Sequence, residues 1–532
     1  MAEQAAISVL DYPENVRFRK GMYINSPNHA LFEIVDNATD EFSAGHADTI
    51  KVTFREDRAS VLDNGAGIPI TPHKDPRFKG ISSAEVAMTT LHAGGKFGAG
   101  SSGYKTNTSG LNGVGASCVN ALSSEFNLYV RCGGKEYEID FSKGRTTKHL
   151  YEISGHFSDE VKTGTEVSFV LDKEVWGNEW FNFSEIKNRL HELTYLNPGL
   201  TVVLDIDSHD LEGNPVKINE TFIQTGGLQD YIADKTKQKN IVAAPFILST
   251  VEPYTVQIHP SKTVKGKVVT DYDKTVDESR EMTIDISAVN TDSFSSDLIS
   301  FVNNVRTEYG GDHETGFKMG IFNAIKKYLI SKKLIKNEKD VESDDCREGM
   351  IAIVSVKLTD PNFEGQGKGK IRMNIVRQSV KKAVEQAYTD YLNEDDNRAQ
   401  AIMEKVLQAI KAKEAARRAR NIARGINSIK NSIQAVDKFA DCSSKDPDIA
   451  ECFLVEGDSA AGSAKMGRDR HFQAILPVFG KILNAEKAST EQVLKSVKIK
   501  DLVKVLGCGI GDQFDLDKLR YHRIIVMSDA DY

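Results

Sequence analysis

The hydrophobic residues follow two different periods, which alternate along the 532 residues of the chain. Over 30–42, apolar residues recur every three or four positions, which predicts a helix with one buried face. Over 351–356, apolar and β-branched residues follow one another almost without interruption, which predicts a strand buried on both faces. Shorter patterns predict strands at 59–62, 241–248, 282–289, 452–455 and 524–527, and helices at about 377–391 and 398–424. The mixture predicts an α/β fold of roughly three or four domains.

Polar residues line a second face of the first predicted helix. Glu33, Asn37 and Glu41 are spaced by four residues, so their side chains project in nearly one direction. A carboxylate and an amide placed together in this way can act as a general base and a magnesium ligand. The alternative is a helix with a merely polar outer face.

A second polar motif leaves the predicted strand at 59–62. Asp63 stands at the strand end, and Gly65 and Gly67 permit positive φ and close backbone approach. A carboxylate there can accept a hydrogen bond from an exocyclic amino group, which distinguishes adenine from guanine. This motif alone is weak evidence for a nucleotide site.

Glycine-rich segments supply candidate phosphate contacts. Residues 91–97 and 109–115 bracket a Gly/Ser/Thr-rich stretch that we interpret as a lid, and backbone N–H groups at a helix start bind phosphate oxygens. Lys96 could add a point charge. After the strand at 351–356, the glycine-flanked Lys368 is a second candidate. The alternatives are a flexible surface loop and an exposed turn.

Acidic residues follow two predicted strands near the end of the chain. Glu456 comes after 452–455, and Asp529 and Asp531 come after 524–527. Strand ends of an α/β sheet are where ligands bind, and clustered carboxylates need a divalent cation such as Mg²⁺ to offset their repulsion. Two unrelated acidic turns are the alternative.

Composition excludes several classes of protein. No apolar run approaches the roughly 20 residues that span a bilayer, and the first residues lack a secretory signal, so we expect a soluble cytoplasmic chain without membrane contact. Six cysteines without CxxC spacing indicate buried, reduced thiols, and His313 is expected to be structural. The net charge is −8, yet 411–424 forms a basic helical patch that predicts either DNA contact or a solvated surface.

These motifs together resemble the GHKL ATPases. The order and spacing of 33–37, 63–67, the GLNGVG run at 110–115 and 163–165 match that superfamily. Three segments are more similar to the ATPase subunits of bacterial type IIA DNA topoisomerases. Their sequences are RKGMYI at 19–24, LFEIVDNATDE at 31–41 and LHAGGKF at 91–97. The acidic residues near the end resemble the TOPRIM motif.

The resemblance implies a role for each matching residue. Glu33 would activate water, Asn37 would hold Mg²⁺ with ATP, Asp63 and Thr165 would contact adenine, and Gln366 and Lys368 would reach the terminal phosphate. The other ATP-site residues implied are Glu41, Gly67, Ile68, Pro69, Lys96, Tyr104, Gly110, Leu111, Asn112, Gly113, Val114 and Gly115. The TOPRIM residues Glu456, Asp529 and Asp531 would hold Mg²⁺. The DNA contacts implied are Lys411, Lys413, Arg417, Arg418, Arg420 and Arg424.

The resemblance also implies an organisation and partners. We expect a GHKL ATPase domain over 1–218, a transducer domain of ribosomal-protein-like α/β fold over 219–392, a helical basic linker over 393–447 and a TOPRIM domain, incomplete at its C-terminal end, over 448–532. The implied activity is that of an ATP-hydrolysing DNA topoisomerase that dimerises on ATP, binds double-stranded DNA and forms a heterotetramer with a tyrosine-bearing breakage-reunion subunit. Gyrase and topoisomerase IV are not separated. The alternatives are a GHKL chaperone or repair clamp, and a DNA- or topoisomerase-binding regulator without turnover.

Overall fold

The computed structural model describes residues 10–94, 113–264, 267–365, 368–430, 436, 438–480, 483–484, 486–488, 492–493, 496–509 and 514–528. It divides into two compact units, Met1–Leu407 and Gln408–Tyr532. The mixed α/β architecture predicted from the sequence is confirmed. The domain boundaries predicted at 218, 392 and 447 stay predictions.

The first unit begins with an eight-stranded sheet whose inner face packs on helices. Its strands are β1 (Thr49–Arg55), β2 (Arg58–Asp63), β3 (Ser123–Cys132), β4 (Lys135–Ser142), β5 (Arg145–Ile153), β6 (Gly164–Leu171), β7 (Thr201–His209) and β8 (Pro215–Ile223). Their order is β5-β4-β3-β6-β2-β1-β7-β8. β1 and β7 are parallel, and the other neighbours are antiparallel.

Helices cover the buried face of this sheet. They are α1 (Glu14–Phe18), α2 (Lys20–Tyr23), α3 (Pro27–Ser43), α4 (Ser83–Thr89), α5 (Gly115–Ala121), α6 (Lys173–Trp176) and α7 (Phe183–Leu196). Buried residues alternate along β1, where Ile50, Val52 and Phe54 enter the same core as Leu31 of α3 and Leu190 of α7. This period of two is that of a sheet with one face in the core.

A five-stranded sheet forms the second part of the first unit. Its strands are β9 (Phe246–Ile258), β12 (Val276–Asn290), β13 (Asp297–Val302), β14 (Val305–Arg306) and β15 (Met350–Leu358), in the order β14-β13-β15-β12-β9, and the pair β10 (Ser261–Val264) and β11 (Lys267–Thr270) is separate. The strand predicted at 351–356 is therefore β15, which runs parallel to β13. The strand predicted at 241–248 instead begins at Phe246, because Pro245 has no N–H to give to the ladder.

Four helices belong to this part of the chain: α8 (Leu228–Thr236), α9 (Asp312–Ser331), α10 (Asn374–Glu394) and α11 (Asp396–Lys430), in which the boundary between the units falls. α9 lies close against α10. A Cβ atom on Gly316 would lie 2.6 Å from the carbonyl oxygen of Arg377, and one on Gly320 would lie 2.7 Å from Cβ of Val384. Side-chain-free positions four residues apart thus let the two helices approach.

The second unit holds a parallel sheet of three strands in the order β17-β16-β18. The strands are β16 (Glu451–Glu456), β17 (Gln473–Val478) and β18 (Arg523–Met527), and the helices are α12 (Asp458–Gly467) and α13 (Val497–Leu506). The predicted strands at 452–455 and 524–527 are confirmed as β16 and β18. Parallel neighbours bring the carboxyl ends of these strands to one edge of the sheet.

Two predictions from composition can be compared with the structure. All six cysteines are free, and five are buried, which confirms the prediction of mostly buried thiols; Cys132 is partly exposed. Within the described part of the chain, no helix combines the length and the apolar character needed to cross a membrane.

Candidate nucleotide-binding site

A cavity of about 420 Å³ opens between α3, the ends of β2 and β6, and the start of α5. That volume is in the range of small-molecule sites. The predicted site residues that line it are Glu33, Asn37, Glu41, Asp63, Ile68, Pro69, Gly113, Val114, Gly115, Thr165 and Lys368. Gly67 lies next to this group and does not line the cavity. The cavity thus collects most of the predicted ATP-site residues that the structure describes.

Helix α3 positions the candidate base. Ser26 caps its N-terminus by accepting a hydrogen bond from the backbone N–H of His29, and Pro27 occupies the first turn. The apolar stripe of the helix is buried in the core, which turns the carboxylate of Glu33 toward the cavity. The side chain of Glu33 is 16% exposed.

Two basic side chains contact this carboxylate. Oε1 of Glu33 lies 3.3 Å from Nε2 of His29 and 3.3 Å from Nζ of Lys368. Burial alone would raise the pKa of Glu33, but the Lys368 ammonium and the His29 ring bring it down to about 2. The sequence interpretation missed His29, although its position four residues before Glu33 was a usable signal.

Lys368 reaches the cavity from the second sheet, 335 residues further along the chain than Glu33. It follows β15, and its side chain is 12% exposed. Glu33, Asp36 and Asp40 lie close enough to attract its charge, so that the pKa of Lys368 is raised although burial opposes this. Gln366, the other residue predicted in this loop, lies outside the described residues.

Asp63 forms the opposite end of the cavity. It is 6% exposed, ends β2, and pairs with Thr165 in the β2–β6 ladder. Its Oδ1 accepts a hydrogen bond of 2.9 Å from the N–H of Gly65, and Oγ1 of Thr165 accepts one of 3.0 Å from Ile68. Burial, with a smaller contribution from Glu41, raises the pKa of Asp63 to about 7.

Two glycines are required by close contacts around these carboxylates. A Cβ atom on Gly115, the first residue of α5, would lie 2.1 Å from Oε2 of Glu33. A Cβ atom on Gly164 would lie 2.2 Å from the carbonyl oxygen of Asp63. No side chain fits at either position without displacing a candidate catalytic or binding group.

Several predicted residues of this site lie outside the described part of the chain: Lys96, Tyr104, Gly110, Leu111 and Asn112. Their roles stay predictions. Among the described residues, Asn37 is exposed and lines the cavity, and Oε2 of Glu41 lies 3.4 Å from Nδ1 of His46.

The predicted TOPRIM site is described only in part. Glu456 ends β16 with its side chain exposed, and Asp458 of α12 accepts a hydrogen bond of 2.6 Å from Nζ of Lys438. Asp529 and Asp531 lie outside the described residues. In the ranges that are described, no three His, Cys, Asp or Glu side chains are grouped so that they could hold a metal ion. The magnesium site here stays a prediction.

The predicted basic helix is α11. Lys411 and Arg417 are exposed on it, and Lys413 is partly buried. The structure does not describe the side chains of Arg418, Arg420 and Arg424. Their contact with DNA stays a prediction. His313 is completely buried, and its Nε2 lies 3.0 Å from Oγ1 of Thr307, as expected of a structural histidine.

Three family models match successive parts of the chain. The histidine kinase-, DNA gyrase B- and HSP90-like ATPase model matches residues 24–175, the DNA gyrase B model matches 227–422, and the Toprim domain model matches 451–532. The DNA gyrase B protein of Clostridium acetobutylicum is 38% identical over 536 residues, which cover 99% of this chain and 77% of that protein. The chain belongs to the DNA gyrase B family.

The resemblance inferred from the sequence motifs is thereby confirmed. The DNA gyrase B protein of Campylobacter jejuni is 40% identical over 534 residues, 99% of this chain. The chain spans 63% of the length of that protein and 63% of the Helicobacter pylori protein.

Solved structures of related proteins agree with the predicted GHKL ATPase fold, which is confirmed. The 43K ATPase domain of Thermus thermophilus gyrase B, in complex with an aminocoumarin, is 31% identical, with a TM-score of 0.57 over 77% of this chain and 97% of that domain. The topoisomerase IV ATP-binding domain of Francisella tularensis, in complex with a small-molecule inhibitor, is 30% identical, with a TM-score of 0.56 over 75% of this chain and 97% of that domain.

Proposed function

We propose that this chain hydrolyses ATP as part of a type IIA DNA topoisomerase and uses that energy to drive the passage of one duplex through another. The observation that carries the proposal is the 3.3 Å contact of Glu33 with Lys368. It joins a carboxylate of helix α3, which packs on the first sheet, to an ammonium of the segment that follows β15 of the second sheet, within one cavity. Membership of the gyrase B family supports the same function.

Glu33 is the proposed general base. With a pKa of about 2 it is ionised at neutral pH and can accept the proton of a water molecule that attacks the terminal phosphate. The hydrogen bond from His29 fixes the orientation of its carboxylate. If Lys368 turned from Glu33 to a phosphate oxygen, the pKa of Glu33 would rise and the base would become stronger.

Asp63 and Thr165 are proposed to select adenine. A buried carboxylate at a strand end can accept one hydrogen bond from the exocyclic amino group, which guanine does not present at that position. The N–H groups of Gly65 and Ile68 already bond Asp63 and Thr165, which fixes both acceptors before the base enters. This end of the cavity is therefore proposed to be prearranged for its ligand.

The site also fits a magnesium ion bound with the nucleotide. Asn37 is exposed and lines the cavity one helical turn from Glu33. Its amide supplies one hard oxygen, which suits Mg²⁺, since that ion takes its other ligands from phosphates and water. When bound, the ion would offset the charge of the phosphate oxygens. Asn37 would hold it, and Glu33 would remain available to the attacking water.

Lys368 is proposed to couple hydrolysis to movement. A lysine in the segment that follows the second sheet, if it contacts the terminal phosphate, is attracted by the triphosphate and released when that phosphate leaves. The equilibrium between arrangements of the two sheets would then depend on hydrolysis. We further propose that the chain dimerises on ATP and works with a breakage-reunion subunit in a heterotetramer on double-stranded DNA.

The DNA-directed part of the proposal concerns the second unit and the basic helix. Glu456, Asp529 and Asp531 are proposed to bind Mg²⁺ for DNA cleavage, and the cations of α11 to bind backbone phosphates without regard to sequence. The Toprim match favours this function over that of a GHKL chaperone.

The test is the substitution Glu33→Gln, which keeps the shape of the side chain and removes the base. We expect a turnover number for ATP reduced at least about a hundredfold, with nucleotide still bound. Glu125→Gln is the matched control, since Glu125 is a 63% exposed carboxylate on β3 of the first sheet, paired with Arg58. Unchanged turnover in Glu33→Gln would remove Glu33 as the base.

A further inference from the structure

Helix α7, which packs on the first sheet, is joined to the second part of the unit by polar contacts on one helical face. Arg189 donates through Nη2 to the carbonyl oxygen of Asn304. Glu192, three residues on, accepts hydrogen bonds of 2.8 Å from Arg306 and 2.6 Å from Tyr231. At the end of the helix, the carbonyl oxygen of Leu196 accepts one of 2.9 Å from Lys357. Spacings of three and seven residues place these groups in one line.

The partner of Arg189 is a tight turn. Asn303 and Asn304 connect β13 to β14 with φ of +47° and +66°, the conformation of a two-residue hairpin loop in which both central residues are left-handed. Both are buried. Asparagine adopts this conformation more readily than most residues, so the turn has a defined shape that a contact can hold.

The same turn holds the end of β15. The side chain of Asn303 donates to the carbonyl oxygen of Leu358 at 2.8 Å and accepts from the N–H of Leu358 at 2.8 Å. Its own N–H donates to Val356. Leu358 is the last residue of β15, and Lys368 lies ten residues beyond it in the chain. The two adjacent residues of the turn therefore link Arg189 to β15: Asn304 accepts from Arg189, and Asn303 bonds the strand from which the Lys368 segment departs.

Arg189 also lies close enough to helix α3 for its charge to be felt there. Its charge, together with that of Lys368, acts on the buried carboxyl group of Asp36, which lies on α3 between Glu33 and Asn37. Nη1 of Arg189 is buried and has no hydrogen-bond partner among the described residues. The guanidinium is therefore held chiefly by a backbone carbonyl, a neutral acceptor that fixes its position more than it neutralises its charge.

We propose that Arg189 is a positioning residue for ATP hydrolysis: by holding the Asn303–Asn304 turn, it fixes the end of β15 so that Lys368 meets Glu33. The proposal rests on the proposed function and names a residue that the reaction itself does not touch. Arg189 contributes to the placement of Lys368 and does not contact the nucleotide.

Arg189→Met tests this by keeping the length of the side chain and removing its donors. We expect the turnover number for ATP to fall about tenfold while the affinity for ADP, which lacks the terminal phosphate, changes less than about twofold. Arg189→Lys, which can still donate to the carbonyl of Asn304, should restore most of the turnover. Arg55→Met is the control, since Arg55 pairs with Asp205 on the outer part of the first sheet. Loss of ADP affinity equal to the loss of turnover would overturn the proposal.

A double-mutant cycle with Lys368→Met supplies a result that a general loss of stability would not give. If Arg189 acts through Lys368, Arg189→Met should have almost no further effect once Lys368 is replaced. Independent, multiplying effects would overturn the proposal. If Arg189→Met does not fold, Asn303→Asp removes the donor to Leu358 instead, and the same non-additivity is expected.

The outcomes separate this inference from the proposed function. A wild-type protein without ATP turnover, or Lys368→Met at the wild-type rate, contradicts the proposed function. If Lys368→Met loses turnover as expected while Arg189→Met turns over ATP at the wild-type rate, only the positioning role is contradicted.

Discussion

Asp63 illustrates how the surroundings of a single residue set its chemistry. The sequence pattern placed this carboxylate at a strand end beside two glycines. It could not show that the side chain would be almost completely buried near Glu41, because burial depends on β6 and α3, which contact it in the folded protein. The result is a carboxyl group whose pKa is raised to about 7, where an exposed aspartate titrates near 4.

The raised pKa predicts a pH-dependent affinity for adenine nucleotides. Below about pH 7 Asp63 is protonated, and the proton must leave before the carboxylate can accept a hydrogen bond from adenine. The affinity should therefore decrease as the pH falls, with a slope that approaches about tenfold per pH unit. Isothermal titration at about pH 6 and about pH 8, in buffers of different ionisation enthalpy, should show proton release on binding at the lower pH.

Two variants give this prediction its controls. Asp63→Asn should bind nucleotide more weakly and without this pH dependence. Asp207→Asn, at an exposed carboxylate of β7 paired with Lys217, should keep the wild-type profile. A wild-type affinity that is flat across this range would show that Asp63 does not accept a hydrogen bond from the base.

At the scale of elements, the hydrophobic period predicted several helices and strands correctly. It did not show which side chains would meet in the folded protein. The buried run at 351–356 became β15, and the stripe at 30–42 became α3. The strand predicted at 241–248 was wrong before Phe246, because Pro245 interrupts the hydrogen-bond ladder. The β13–β14 hairpin and the contacts of His313 depend on elements that meet only in the folded chain, and no local period could reveal them.

His313, in the first turn of α9, ties that helix to the β13–β14 hairpin through Thr307. Burial lowers its pKa to about 4, although the nearby Glu314 raises it slightly. Below about pH 6.5 the unfolded chain binds a proton that the folded protein does not, so stability should fall between about pH 6.5 and about pH 4. At about pH 5 the loss should be about 2 kcal/mol.

Chemical denaturation at several pH values measures this effect. His313→Gln should lose that share of the pH dependence, whereas His259→Gln, at an exposed site, should keep it. If the wild type and His313→Gln lost stability in parallel on acidification, His313 would not be the neutral buried group described.

At the scale of the whole molecule, the chain brings the first sheet with helix α3 and the segment that follows β15 of the second sheet to one cavity. Glu33 was recognisable from its helix, but no pattern in the sequence alone could place Lys368 beside it across 335 residues; only the family resemblance suggested that meeting. The gyrase B family membership extends across the chain, which spans 63% of the Campylobacter jejuni relative. The parts of the predicted lid and TOPRIM site outside the described residues remain predictions from the motifs.

The contact of Lys368 with Glu33 is the central claim, and steady-state ATP turnover of Lys368→Met tests it most directly. Lys370→Met is the matched control, because Lys370 pairs with Glu364 in the same segment. We expect the turnover number of Lys368→Met to fall about a hundredfold with ADP affinity nearly unchanged, since only the terminal phosphate loses its cation. Turnover in Lys368→Met equal to that of the wild type and of Lys370→Met would contradict the account.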